Sequence, residues 1–222
     1  MPRKKLIRQN LFPYHIFIRT NNRDWFGLPM ELVWKIATTS LVYAHRKVPV
    51  ELHGFVLMNN HYHMLVTTPN ENIDKFMEHF NRRLSNCIKK FSGHENHKFA
   101  NRYKWSIINS QSYLMNVYRY IYQNPVRAGI CNKCIDYPFS SLNFPASLQK
   151  NLEFIPHLKY KDYNKWIEQV PKNEINEVIK KGLRRTEFQV PQKTPRYSRT
   201  FLLLTPSTGE RSQSSLENSY FM

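Results

Sequence analysis

His61 and His63 are the residues whose type and spacing most directly indicate chemistry in this chain. They lie in the stretch GFVLMNNHYHMLVTT, Gly54 to Thr68, in which two apolar runs flank Asn59-Asn60. An apolar run, a short polar break and a second alternating run predict a β-hairpin. Because successive side chains of a strand point to opposite faces, the two imidazoles should project side by side. Such a pair indicates a metal site, although histidines at this spacing are also found as ordinary strand residues.

A tyrosine and an asparagine one helical turn apart supply the other candidate groups. The segment YLMNVYRYIYQN before Pro125 predicts a helix with Asn116, Tyr120 and Asn124 along one polar side. The two imidazoles and the side-chain oxygen of Asn124 would hold a divalent cation with positions open for substrate, and such a site can polarise a phosphodiester. A phenol is a poor nucleophile at neutral pH unless its proton is removed or the electrophile is activated. Attack by Tyr120 on DNA would give a covalent phosphotyrosine and a free hydroxyl.

Apolar periodicity and turn signals predict the elements that would position these groups. Strands are predicted over residues 13–20, 48–58, 61–68 and 102–108, and helices over 29–45, 73–91 and the tyrosine segment. This order is the split βαβ arrangement of ferredoxin-like and RRM-like α+β folds, an antiparallel sheet with strands one and three at its centre. The histidine pair would then lie in the middle of the sheet. The helix that carries Tyr120 can lie across the open face and bring its phenol to the histidines.

The charge of the chain indicates a polyanionic partner. Lysine and arginine total 33 against 16 acidic residues, a formal net charge of +17. Neutralising phosphates with such a surplus releases counterions, so nucleic acid is the first candidate. No apolar run approaches the roughly 20 residues needed to span a membrane, so no membrane partner is expected. The N-terminus lacks the apolar part of a secretory signal and the cysteines are three in number, which favours a reducing, cytoplasmic and nucleoid-associated location.

Basic residues that could contact nucleic acid fall in three places. Arg82 and Arg83 lie on the polar side of the second predicted helix, where a phosphate-facing surface and a merely solvated one are equally compatible with the pattern. The strand RYKWSII interleaves basic and aromatic side chains, typical of contacts to single-stranded nucleic acid but also of a half-exposed edge strand. Its candidates are Arg102, Lys104 and Trp105, and the C-terminal part of the chain adds Arg184 and Arg185.

The matching segments YHIFIRTNNR, HGFVLMNNHYHMLVTTP, NRYKWSII, YIYQNPVRAGIC and YPFSSL carry a resemblance to a known family. From Phe12 to Leu142 the chain resembles the single-tyrosine HUH transposases, and within them the REP-associated tyrosine transposases. The resemblance implies a strand transferase that recognises hairpins formed by palindromic repeats, cleaves single-stranded DNA beside them and uses Mg²⁺ or Mn²⁺. It also implies that His61 and His63 are metal ligands and that Tyr120 is the nucleophile. Asn124 fills the position where related enzymes have glutamine or asparagine.

This interpretation divides the chain into a transposase-like catalytic domain, residues 1–147, and a basic extension, residues 148–222. The extension is predicted to be partly helical over Tyr163 to Ile179, to help grip the hairpin, and to be disordered over residues 205–222. The polar loop that carries His94 and His97 is expected to be solvent-exposed. Cys131 and Cys134 form an isolated Cys-x-x-Cys without the second pair of a zinc site.

Two other functional classes remain open at this point. A non-catalytic hairpin-binding protein would keep the sheet and the charge, but it would have no need for His61, His63, Tyr120 and Asn124 together. A metal-dependent hydrolase without a covalent step would leave Tyr120 unexplained. By ligand type, a site with two imidazoles suits Mn²⁺ better than Mg²⁺, which prefers oxygen. The sequence is compatible with a monomer and with a homodimer.

Overall fold

The structure, a computed structural model, describes residues 5–93, 99, 102–155 and 163–206. In these residues the strands form one antiparallel sheet in the order β2-β3-β1-β4. The strands are β1 (Tyr14–Arg19), β2 (Glu51–Leu57), β3 (His61–Thr67) and β4 (Lys104–Ile107). The predicted α+β class and the central position of strands one and three are confirmed.

The β2–β3 hairpin sets which side chains share a face of the sheet. The Met58 N–H donates to the carbonyl of His61 at 2.8 Å, which closes a loop whose two central residues are Asn59 and Asn60. Across the neighbouring pair of strands, Phe17 lies opposite His63 and Arg19 lies opposite His61. Because side chains alternate along each strand, these four side chains project from the same face.

The opposite face carries the larger hydrophobic core. Helices α1 (Met30–Lys47) and α2 (Ile73–Ser92) pack there against side chains such as Ile16 and Met64, which are fully buried. The apolar stripe predicted on α2 is buried at six positions from Ile73 to Ile88, and Cys87 is half-buried. Phe91, the last member of that predicted stripe, is instead 57% exposed. It lies one residue before the helix ends.

Helix α3 (Gln111–Tyr122) covers the histidine face of the sheet, and the short α4 (Asn124–Arg127) follows it. Gly54 of β2 allows the close approach, because a Cβ at that position would lie 3.0 Å from Cδ1 of Ile121. The predicted placement of the tyrosine helix on this face is confirmed. Asn116 departs from the predicted polar side: it is fully buried, and its Nδ2 donates to the carbonyl of Leu202 at 3.0 Å, since later helices cover it.

The later helices are α5 (Ala146–Asn151), α6 (Tyr163–Glu168), α7 (Asn173–Gly182) and α8 (Arg196–Leu202). Helices α6 and α7 occupy most of the stretch Tyr163 to Ile179 that is predicted to be partly helical. Pro171 lies between them, and proline lacks an N–H and restricts the residue before it. The predicted boundary after residue 147 falls inside α5 and stays a prediction. His94, His97 and residues 207–222 of the segment expected to be disordered lie outside the described residues.

Helices α6, α7 and α8 share a second hydrophobic cluster with α3. Arg119 of α3 is fully buried in it, with its guanidinium carbon 4.1 Å from the ring centroid of Trp166 and 4.7 Å from that of Phe201. Burial lowers the pKa of Arg119 to about 10, so the group stays charged at neutral pH. Beyond α7 the chain reaches the edge of the sheet, where the Ile107 N–H donates to the carbonyl of Thr186 at 2.8 Å. Helices α6, α7 and α8 are thus packed directly on the helix that carries the candidate nucleophile.

No helix within the described ranges is long and apolar enough to cross a membrane.

Candidate active site

The two histidines of β3 form an aromatic cluster with Phe17 of β1. The ring centroids of His61 and His63 are 5.4 Å apart, and Phe17 lies 4.9 Å from His63 and 5.5 Å from His61. His63 is buried, whereas His61 is half-buried. The cluster therefore opens toward solvent on the side of His61.

Hydrogen bonds at the Nδ1 atoms orient both imidazoles. Nδ1 of His61 lies 2.7 Å from Oδ1 of Asn60, and Nδ1 of His63 lies 2.9 Å from Nε2 of His15. When each Nδ1 donates in these bonds, each Nε2 keeps a free lone pair, which is the form a metal ligand needs. Burial lowers the pKa of His61 to about 3 and the pKa of His63 well below its ordinary value, and nearby Arg19 adds to both shifts. Both rings are therefore neutral at pH 7 and need not lose a proton before binding a cation.

Tyr120 is the tyrosine of α3 that reaches this cluster. Its ring centroid lies 5.9 Å from that of His63, edge to face. Tyr118 and Tyr122 are buried elsewhere, where they stack on each other at 6.2 Å, and the Tyr122 hydroxyl lies 2.8 Å from Oγ of Ser141. Sequence spacing alone could not separate these neighbouring tyrosines as firmly as this packing does.

Arg127 holds the groups around Tyr120 together. Its guanidinium carbon lies 4.6 Å from the centroid of the Tyr120 ring, and Nη2 donates to the Tyr120 carbonyl and to Oδ1 of Asn124, each at 2.9 Å. Nη1 is buried and has no hydrogen-bond partner among the described residues. Burial raises the pKa of the Tyr120 phenol, and the positive charge of Arg127 opposes that rise. The arginine thus favours the ionised form of Tyr120, whose ring contacts the ring of His63.

The two imidazoles could hold a divalent cation only with an incomplete protein shell. The hydrogen bonds leave Nε2 of His61 and Nε2 of His63 as the available nitrogens. Oδ1 of Asn124, the third predicted ligand, accepts a hydrogen bond from the Arg127 guanidinium at 2.9 Å. Within the described ranges, no group of three or more histidine, cysteine or acidic side chains could hold a metal ion. A cation here would need further ligands from water or from phosphate oxygens of a substrate.

The basic residues predicted to bind nucleic acid occupy different environments. Arg82 lies 3.7 Å from Glu78, and Arg83 stacks over Tyr43 at 4.7 Å. Trp105 is only 6% exposed and packs against Tyr14, so a base could not stack on this indole without opening the core.

Arg102 and Lys104, by contrast, are exposed at the start of β4. In the extension, Nη1 of Arg185 donates to Oε1 of Gln189 at 2.8 Å, and Arg184 is exposed beside it. Cys131 and Cys134 are free thiols, and burial raises the pKa of Cys134 to about 12.

Three residues of the site were not singled out from the sequence: His15, Arg19 and Arg127. His15 could have been found from side-chain parity, because it shares a face with Phe17 on a strand predicted to neighbour the histidine strand. Arg127 lies two helical turns after Tyr120, but a proline stands between them. The contact of Arg127 with the phenol ring therefore depends on the backbone geometry around Pro125, which the sequence spacing of the two residues does not predict.

An α+β fold in which a histidine pair on a four-stranded sheet faces a helix that carries a tyrosine is typical of the single-tyrosine HUH class. Residues 9–124, more than half of the chain, match the family described as Transposase IS200 like, and the protein belongs to this family. No curated protein matches the sequence.

Two solved structures give the structural comparison. One is described as the structure of the REP-associated tyrosine transposase bound to a REP hairpin. It shares 20% identity over 64% of this chain and 82% of the other, with a TM-score of 0.54, which supports the fold. Another, of a protein from Deinococcus radiodurans R1, shares 16% identity over 55% of this chain and 94% of the other, with a TM-score of 0.38.

Proposed function

We propose that this protein cleaves single-stranded DNA beside hairpins formed by palindromic repeats and rejoins the ends through a covalent phosphotyrosine at Tyr120. The observation that carries the proposal is the edge-to-face contact of Tyr120 with His63 at 5.9 Å, in a member of the IS200-like transposase family. The hairpin as substrate is supported by the solved relative, which is described as bound to a REP hairpin.

In this proposal His61, His63 and Asn124 would hold Mg²⁺ or Mn²⁺. The bound ion would supply a Lewis acid that polarises the scissile phosphodiester. The histidines suit this role because burial keeps them neutral and because hydrogen bonds at Nδ1 fix their orientation. His15 acts as a positioning residue, since its Nε2 accepts from His63 and sets which nitrogen of that ring remains free.

The Tyr120 hydroxyl is the attacking group. Its oxygen forms a bond to phosphorus, the phosphoester oxygen on the other side leaves, and that oxygen takes up a proton to become a free hydroxyl. One phosphodiester replaces another, so the bond energy is kept for the rejoining step and no ATP is required. The phenol proton must leave before or during attack, and the adjacent charge of Arg127 stabilises the phenolate that results.

The test is a covalent adduct between protein and DNA. The protein is incubated with labelled hairpin oligonucleotides that carry randomised single-stranded flanks, with Mn²⁺ or Mg²⁺, and is then denatured. We expect a denaturation-resistant adduct with the purified protein and none with Tyr120→Phe, which removes one hydroxyl and no charge. His61→Ala and His63→Ala should also prevent the adduct, because each removes a metal ligand.

Tyr113→Phe is the matched control, because Tyr113 lies on the same helix but packs against Phe188 at 4.9 Å. An adduct of normal yield from Tyr120→Phe would overturn the assignment of the nucleophile. Hairpin binding without an adduct from any form of the protein would favour the non-catalytic binding protein.

A further inference from the structure

A groove beside the active site contains four cationic side chains and no acidic one. It has a volume of about 740 Å³ and is lined by Phe17, Ile18, Arg19, Thr20, Asn21, Asn22, Arg23, Arg102 and Lys104. We call it the β1 groove, because most of its lining comes from the end of β1 and the turn that follows. Arg19, Arg23, Arg102 and Lys104 are all exposed. The groove is therefore an open, positively charged channel.

The β1 groove is continuous with the histidine site. Phe17, which lines the groove, lies 4.9 Å from His63 and 5.5 Å from His61. Arg19 pairs with His61 across the two central strands, and its guanidinium carbon lies 5.3 Å from the Phe17 ring centroid. Burial is the main cause of the lowered pKa of His61 and of His63, and the positive charge of Arg19 adds to it. The same charge opposes the rise in the pKa of Tyr120 that burial causes. A polyanion in the groove would thus reach the reacting groups directly.

A second cleft, on the α2 side of the same region, has a different charge balance. It has a volume of about 410 Å³, and its charged lining residues are Asp74, Glu78, Arg82 and Arg102, the last of which also lines the β1 groove. Asp74 is held by Arg8 at 2.9 Å, and Arg82 lies 3.7 Å from Glu78. Its carboxylates would repel phosphate, whereas the lining of the β1 groove contains nothing that would. Of these two clefts, only the β1 groove has the charge of a phosphate-binding channel.

We propose that the β1 groove binds the single-stranded DNA that leads to the scissile phosphate. Arg19, Arg23, Arg102 and Lys104 neutralise successive backbone phosphates, and the pair formed by Arg19 and Phe17 offers a flat surface to a base next to the cleavage position. Side chains of this kind bind single strands without reading sequence, because they meet the backbone and the faces of the bases. The inference rests on the proposed function for its substrate, and it adds where the strand lies.

The experiment measures binding of a labelled, unstructured thymidine strand across a salt series with a chelator present. Because no cleavage occurs without metal, this experiment measures binding alone. Its result can therefore be interpreted even if the protein forms no covalent adduct. The groove variant is Arg23→Glu with Lys104→Glu. The matched control is Lys35→Glu with Lys90→Glu, which makes the same change in net charge at exposed positions on α1 and α2.

We expect the log–log salt slope of the groove variant to fall by about 1.4, roughly 0.7 for each of two single-strand phosphate contacts. The control variant should keep the slope of the unmodified protein. An equal loss of slope in both variants, or none in the groove variant, would overturn the proposal. So would an equal loss for a duplex, since the groove would then act as a general cationic surface. If the glutamate variant fails to melt cooperatively, Arg23→Gln with Lys104→Gln removes the same two contacts and is measured instead.

Discussion

Acid should destabilise the metal-free protein through its buried histidines, and His15 gives the cleanest measure of the effect. His15 is 4% exposed, and burial lowers its pKa from 6.5 to about 3. A lowered pKa in the folded state means that the unfolded chain binds the proton first. The contribution of His15 to stability is therefore complete above 6.5 and is lost as the pH falls from 6.5 toward about 3. At about pH 5 the loss from this one group is roughly 2 kcal/mol.

The perturbation is His15→Phe, which keeps a flat ring beside His63 but cannot take up a proton. Urea unfolding followed by tryptophan fluorescence, with a chelator present, gives the free energy of unfolding at about pH 7.5 and about pH 5. The decrease between these two pH values should be smaller in the variant by about 2 kcal/mol. Between about pH 7.5 and about pH 8.5 the variant and the unmodified protein should change in parallel, since His15 is neutral in both states there. An identical acid loss in both proteins would refute a neutral, buried His15.

Two further predictions concern Arg127 of α4 and Arg119 of α3. Arg127→Ala should move the pH profile of adduct formation to higher pH, with a rate loss of about tenfold for each unit by which the pKa of Tyr120 rises. Arg127→Lys should restore most of the rate. A uniform loss of rate in both variants, without a displaced pH profile, would indicate that Arg127 is merely structural. Phe201→Ala should lower the free energy of unfolding, measured by urea unfolding, by about 2 kcal/mol, because it removes one of the two rings that enclose Arg119 (the Arg119 cage). The same substitution in an Arg119→Met background should cost less. Equal losses of free energy in both backgrounds would contradict the cage.

Much of the fold could be predicted because it follows from local patterns. The break at Asn59-Asn60 between two apolar runs specifies a hairpin, and side-chain parity then puts His61 and His63 on one face. Side-chain parity also predicts that Trp105 and its basic neighbour Lys104 are on different faces of the sheet, although the composition of their strand suggests one shared binding surface. Lys104 and Trp105 are adjacent in a strand, so they must face opposite ways. The structure places the lysine in the β1 groove and the indole in the core.

What could not be predicted depends on contacts between distant parts of the chain. Asn116 belongs to the polar side of α3 by spacing, but α8 returns to cover it, and the hydrogen bond that results joins residues 86 positions apart. Likewise, Phe91 has the right spacing for a buried stripe, but the structure leaves it mostly exposed near the helix end. Periodicity identifies which residues share a side of a helix, and only the assembled fold decides what covers that side.

The caged Arg119 has a consequence for engineering this protein. The residue stands immediately before Tyr120, and its charge is enclosed by Trp166 and Phe201 from the extension. Fusing residues 1–147 to the C-terminal segment of a different relative would leave that charge without its rings unless the donor carried aromatic side chains at both positions. A successful chimera would therefore need to inherit the two rings together, or to replace Arg119 by an uncharged side chain in the same step.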